Sequence, residues 1–300
     1  MPIRGSFLGL VFLLLPCAMV ASPSAKDLAF EADVPLVESQ GMPCVEVGIG
    51  EGHVGLFAID TGNVNSILDL VEAGSEGLSL KALGPSYPNF FTTKVPALSV
   101  GGLTLGNVPL LSFNFAENKM PGGILGVLAY TAFKDRILQL DLKARRVRIS
   151  GIRSGSVPAA ANAERISFLT FGRHGPPIVV VHGFEINGQP VSVQVDTMYS
   201  GTMLIYDASI PKVNLALEAH GNETEFFPYT DGGVSMKVSP VKTESFHGEA
   251  LGPGQPRVFF PTAGVHQPDG LFDGTVGIAL FHDRVLTFDF HDNTFSVTTP

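Results

Sequence analysis

"VQVDTMYSGT" (193–202) and "FAIDTGNVNS" (57–66) are the two stretches on which the reading of this chain turns. Each is an apolar run that ends in Asp-Thr. Each reads as a short strand, and farther along the chain the alternation of Ile137, Gln139 and Asp141 with Leu138, Leu140 and Leu142 predicts a strand with one buried face. After Asp-Thr the two stretches part: Gly62 follows in the first and Met198 in the second. Asp, Thr and Gly are common turn residues, so one copy alone would carry little information.

Working outward, both stretches sit in the same order of parts. "GMPCVEVGIGEGHVGLFAIDT" (41–61) corresponds to "GPPIVVVHGFEINGQPVSVQVDT" (175–197): a Pro opens a β run, a turn follows, and a second strand ends in Asp-Thr. Downstream, "FKDRILQLDL" (133–142) matches "FHDRVLTFDF" (281–290), with Phe, Asp, Arg, Leu and Asp at five common positions. Between them, "GGILGVLAYTAF" (122–133) is aligned with the three-residue-shorter "DGTVGIALF" (273–281), which matches "GILG" (123–126) to "GTVG" (274–277). An internal repeat of this length predicts two similar lobes. The expected boundaries are a leader over 1–25, a first lobe over 26–150, a linker over 151–165 and a second lobe over 166–300. Asp141 and Asp289 recur too, and are read as acids that open turns rather than as a second pair. "VGGLTLG" (100–106) reads as a hairpin turn.

Composition narrows the function. The chain has 300 residues, 45% of them hydrophobic and only 16% charged, with 34 Gly and 22 Pro, which favours an all-β protein of short strands. A net charge of −9 argues against a nucleic-acid partner, since phosphate binding needs a basic surface. The eight His show no metal-ligand spacing, so no metal and no cofactor are expected. Arg4, the apolar Phe7–Leu15 and the small residues up to Ala25 form a signal peptide, too short to span a bilayer. A secreted or periplasmic location follows. Membrane contact is expected only through an uncleaved signal or a lipid on Cys17. With the leader removed Cys44 stands alone, and its apolar setting reads as a buried small hydrophobe.

On these residues the chain resembles the aspartic proteases of the pepsin and retropepsin type. The carrying motifs are "FAIDTG" (57–62) with "GILG" (123–126), and "VQVDT" (193–197) with "GTVG" (274–277). The resemblance implies an all-β fold of two homologous lobes, each with an Asp-Thr loop and a ψ-type crossing, around a cleft. It implies an aspartic-type peptidase that hydrolyses a peptide or protein substrate, acting as a monomer. Asp60 and Asp196 would be the catalytic pair. Thr61 and Thr197 would bond across to the other loop, and Gly62 would let its N–H approach the carboxylate. Hairpins from 83–95 and 224–238 would cover substrate, with Tyr87 and Tyr229 closing over it. The chemistry is that of two adjacent carboxylates sharing one proton: one takes a proton from water while the other polarises the carbonyl.

Met198 departs from that pattern, because a Cβ restricts φ and its bulk enters a crowded place. Ser200 or Gly201 would take over if the second loop is longer. The alternative reading is a catalytically inactive binding protein of the same fold, holding an extended peptide or other ligand in its cleft.

Overall fold

The structure is a computed structural model that describes residues 30–50, 52–118, 120, 122–152, 160–170, 177–213, 220–225, 234–240, 243–251, 257–261 and 271–300. The expected leader with Cys17, residues 153–159 of the expected linker, and Tyr229 lie outside the described residues.

In the first half the elements are β1 (Phe30–Pro35), β2 (Val37–Ser39), β3 (Met42–Ile49), β4 (His53–Ile59), β5 (Ser66–Asp69), α1 (Leu70–Ser75), β6 (Lys81–Ala82), β7 (Phe91–Val100), β8 (Leu103–Phe113), β9 (Gly126–Leu128), α2 (Tyr130–Phe133), β10 (Ile137–Asp141) and β11 (Arg146–Ser150). In the second they are β12 (Glu164–Thr170), β13 (Pro177–Ile186), β14 (Gln189–Asp196), β15 (Met203–Ile205), β16 (His220–Glu225), β17 (Val234–Pro240), β18 (Glu244–Phe246), β19 (Glu249–Ala250), β20 (Arg257–Pro261), β21 (Gly274–Gly277), β22 (Val285–Asp289) and β23 (Thr294–Thr298). The fold is all-β and bilobal. Turn chemistry sets the tight hairpins: Asn187-Gly188 joins β13 to β14 and Gly101-Gly102 joins β7 to β8, all four at positive φ.

One parallel contact recurs in each half. β4 runs parallel to β9 (Phe57 opposite Gly126), while β14 runs parallel to β21 (Val193 opposite Gly274). A second strand then lies antiparallel to the inserted one: β5 on β9 (Ile67 opposite Val127) and β15 on β21 (Leu204 opposite Thr275). A third runs parallel to that strand, β8 on β5 (Leu111 opposite Ile67) and β20 on β15 (Phe259 opposite Leu204). Each Asp-Thr loop therefore leaves one strand and enters another on either side of the same inserted strand, which is the expected ψ-type crossing.

These registers correct the sequence alignment. Phe57 and Val193 hold the same place before their Asp, so Gly126 matches Gly274, not Gly277. The residues that stand where Thr275-Val276-Gly277 stand in the second half are Val127-Leu128-Ala129; Gly123-Ile124-Leu125 lie upstream. No gap is needed from there to the "DR" strands. The reason for glycine at 126 and 274 is contact. A Cβ at Gly126 would lie 2.1 Å from Phe57 Cε1, and one at Gly274 would lie 2.0 Å from the Leu204 carbonyl oxygen.

Six antiparallel strands, in the order β1-β11-β10-β22-β23-β12, join the halves. At their centre the two "DR" strands pair with each other. Gln139 lies opposite Thr287, flanked by Ile137 opposite Asp289 and Asp141 opposite Val285, an arrangement with a local two-fold axis. Asp135 and Asp283 both take φ 62°, so the matching turns share a backbone conformation as well as a sequence. Asp141 accepts from Ala144 N–H, and Asp289 from His291 and Asp292 N–H, so both acids order turns as expected. The largest core cluster runs from Val45 and Phe57 through Leu138 and Phe288 to Val193 and Phe295, continuous across both halves. Cys44 is fully buried, and burial pushes its thiol up to about 11, the behaviour of a packed hydrophobe.

Candidate functional site

Asp60 follows the last residue of β4, and Asp196 ends β14. On β14, Val191, Val193 and Val195 point into the core, which turns Gln194 and Asp196 to the other face. The two loops meet. A Cβ at Gly62 would stand 2.9 Å from Asp196 Cβ and 3.0 Å from its Cγ. Gly62 does not need positive φ; it is glycine because the opposite loop is in contact with it.

The inner oxygen of each acid is held in the same way. Asp60 Oδ1 accepts from the N–H of Gly62 (2.9 Å) and of Asn63 (3.0 Å). Asp196 Oδ1 accepts from the N–H of Met198 (2.9 Å) and of Tyr199 (3.1 Å). The Asn63 side chain adds a further hydrogen bond to the Asp60 carboxylate. The threonines lock the loops together. Thr61 Oγ1 donates to the Val195 carbonyl at 2.8 Å, Thr197 Oγ1 donates to the Ile59 carbonyl, and Thr61 N–H donates to Thr197 Oγ1 at 3.2 Å. Both side chains are 1% exposed, so water does not compete for these bonds.

Electrostatics follow from that burial. Asp60 is held well above the ordinary carboxylate range, first by burial and then by the charge of Asp196, against the pull of its N–H donors and the Asn63 side chain. Asp196 is raised as well, by burial, with the Met198 and Tyr199 N–H groups opposing. Two acids pushed upward side by side share a proton at pH values where lone carboxylates would both be charged.

Met198 is accommodated rather than tolerated. Its N–H does the work that Gly62 N–H does in the first loop, and its φ is negative. The difference lies across the interface. Opposite Gly62 stands the long Gln194, which donates to the Gly62 carbonyl at 2.8 Å. The residue in the first half that holds the place of Gln194 is Ala58. Met198 packs against the cluster that contains Ala58, Met42, Cys44 and Phe113. A large residue and a small one have thus changed places between the two loops. The second loop is also one residue longer, since Asp60 precedes Ile67 by seven positions and Asp196 precedes its counterpart Leu204 by eight. Ser200 and Gly201 do not replace Met198 at the carboxylate. Ser200 lies against Gly41, where a Cβ would come within 3.0 Å, and Gly201 makes room for the Tyr199 ring.

Two residues near the pair carry no motif in the sequence. Gln194 Oε1 accepts from Thr275 Oγ1, which links the Gly62 carbonyl to β21. Tyr206 is 7% exposed, and burial raises its hydroxyl, with the neighbouring Asp196 adding to the rise and a side-chain hydrogen bond with Thr275 opposing it. The one available signal was the polar face of β14, on which Gln194 precedes Asp196 by two. Tyr87 sits on the turn of the β6–β7 hairpin, 55% exposed, with its ring edge-on to Phe90 at 6.3 Å. Phe90 in turn packs on Phe113. A cavity of about 380 Å³ beside that hairpin is lined by Asn65, Lys81, Thr92, Lys94 and Leu111, and contains neither aspartate.

No protein-family profile matches the chain, and no curated protein matches it. Among solved structures, 379 chains match. One is the crystal structure of edgp, at 10% identity and a TM-score of 0.53, covering 89% of this chain and 94% of that one. At that identity the likeness is one of fold alone, and it extends over nearly the whole of both chains.

Proposed function

We propose that this chain is an aspartic-type endopeptidase of the pepsin and retropepsin kind, which hydrolyses peptide bonds through a water held by Asp60 and Asp196. The observation that supports the reading most is the matched treatment of the two acids: each inner oxygen takes two backbone N–H bonds, and two buried threonines tie the loops. A lone turn aspartate needs none of that reciprocity.

With one proton between the pair, the ionised carboxylate removes a proton from the bound water. The protonated partner donates to the scissile carbonyl and stabilises the oxyanion as it forms. The proton gained from water then passes to the leaving amine. An extended peptide would lie under the β6–β7 hairpin, with Tyr87 reaching over it. A secreted or periplasmic setting fits a chain with the leader described above.

The test is a peptide-library digest of purified protein from mild acid to neutral pH, run beside Asp60→Asn and Asp196→Asn. Cleavage that is strongest in acid and absent from both variants is the expected outcome. Undiminished cleavage by Asp60→Asn sinks the proposal. The competing reading, a cleft that holds peptide without cutting it, draws on Met198, and predicts peptides recovered bound and intact at every pH.

A further inference from the structure

Three ligating side chains converge on the first half, away from the aspartate pair. His53 opens β4. Glu72 lies within α1, and Glu76 caps its end, so the two acids are four residues apart and share one helix face. His53 Nδ1 stands 2.6 Å from Glu72 Oε1 and 2.8 Å from Glu76 Oε1. Sequence spacing hid the group, because His53 is separated from the acids by a strand and the whole Asp60 loop.

A proton cannot satisfy all three atoms. Nδ1 carries one hydrogen or one lone pair. Its hydrogen bond goes to Glu76. Glu72 is only 9% exposed, and among the described residues no donor reaches its buried Oε1, which is aimed at the same nitrogen. A protonated ring would attract both carboxylates, but the single hydrogen on Nδ1 is directed at Glu76 and leaves Glu72 Oε1 without a hydrogen bond of its own. A cation at the centre would meet every requirement: the Nδ1 lone pair and one oxygen from each carboxylate would all point at it.

We propose that His53, Glu72 and Glu76 form a binding site for a divalent transition-metal ion, with Zn²⁺ the best fit to one imidazole nitrogen and two carboxylate oxygens. The imidazole disfavours Ca²⁺ and Mg²⁺, which take oxygen ligands. Three protein ligands leave a fourth position for water, as zinc accepts. Ligand atoms around a tetrahedral Zn²⁺ stand roughly 3.3 Å apart, given bonds of about 2.0 Å. The His53 side chain is 40% exposed, so its ring has room to move out by that small difference. The ion would pin α1 to the β3–β4 hairpin. That helix needs a pin: it has six residues and no side-chain bond at its N-cap.

The experiment is calorimetric titration of the full chain with Zn²⁺ after dialysis against a chelator, with Co²⁺ absorption as a second readout. The expected result is one ion per chain, a Co²⁺ spectrum of low coordination number, and a thermal midpoint that rises with Zn²⁺ and falls back with chelator. His53→Ala and Glu72→Gln should each weaken binding at least about ten-fold, while Asp60→Asn binds as the parent does. The proposal is overturned by no saturable binding, by binding that both variants retain, or by binding lost in Asp60→Asn. Glu72→Gln keeps the size of the side chain, and circular dichroism on that variant separates a lost ligand from a lost fold.

Discussion

At the scale of single residues, Met198 and Glu244 make opposite points about side chains that look wrong. Met198 breaks the Asp-Thr-Gly pattern, yet the backbone bond it owes to Asp196 is made, and its side chain packs against the first-half cluster that contains Met42, Ala58 and Phe113. Met198→Ala should therefore cost about 1–2 kcal/mol of stability, below the range for a fully buried Met, and leave the pH profile of peptide cleavage in place. A profile that collapses with this variant would mean that the side chain, not the N–H, serves the site. Glu244 is the reverse case. It is 3% exposed, neither carboxylate oxygen has a hydrogen-bond partner among the described residues, and burial pushes it up to about 8. In the unfolded chain it ionises near the ordinary value, whereas in the fold it stays protonated until about 8. The fold bears no cost from it in acid. As pH rises from the ordinary carboxylate range towards 8, stability is lost at up to about 1.4 kcal/mol per pH unit. Glu244→Gln should flatten that slope in denaturant titrations, gaining most at slightly alkaline pH and little in mild acid.

At the scale of elements, the Asp loops hold each other through buried bonds that neither half can make alone. Thr61 and Thr197 each donate to the strand that leads into the other's loop, and Thr61 N–H also uses Thr197 Oγ1. A Thr→Val change at either one orphans a buried carbonyl, at about 1–3 kcal/mol. Because the bonds share atoms, the two changes will not add. A double-mutant cycle over Thr61→Val and Thr197→Val should give a coupling of about 0.5–3 kcal/mol, and simple additivity would show that the loops are positioned by their own strands. Much of this scale was open to sequence reading. The Asn187-Gly188 turn is a local signal of turn chemistry and stands as expected. The alternation over 137–142 does not: β10 is buried along its whole length, in the middle of a sheet shared with β22, and that pairing has no local signal. The crossing was misplaced by three residues because "GILG" matches a motif by letters, while the register is set by which Gly can lie against Phe57 and Ile67.

At the scale of the whole molecule, the halves are joined by strand pairing and by core together. β10 lies against β22 through five residue pairs, and one apolar cluster crosses the junction. Heating should thus give one cooperative transition, with calorimetric and van't Hoff enthalpies in agreement. Two resolved transitions would show that the shared sheet is weaker than its pairing implies.

By itself, the sequence determined the all-β class, the strand-turn-strand runs that lead into each Asp-Thr and the turns between them, since each is encoded within a few neighbouring residues. It also placed Cys44 in the core and the acids Asp141 and Asp289 in turns. Only the tertiary structure decided what depends on the other half of the chain. Met198 packs on the first-half cluster, Gln194 faces Gly62, and His53 reaches Glu72 and Glu76 across a folded loop. Those relations are contacts between residues far apart in sequence, and a contact has no period for a linear reading to detect.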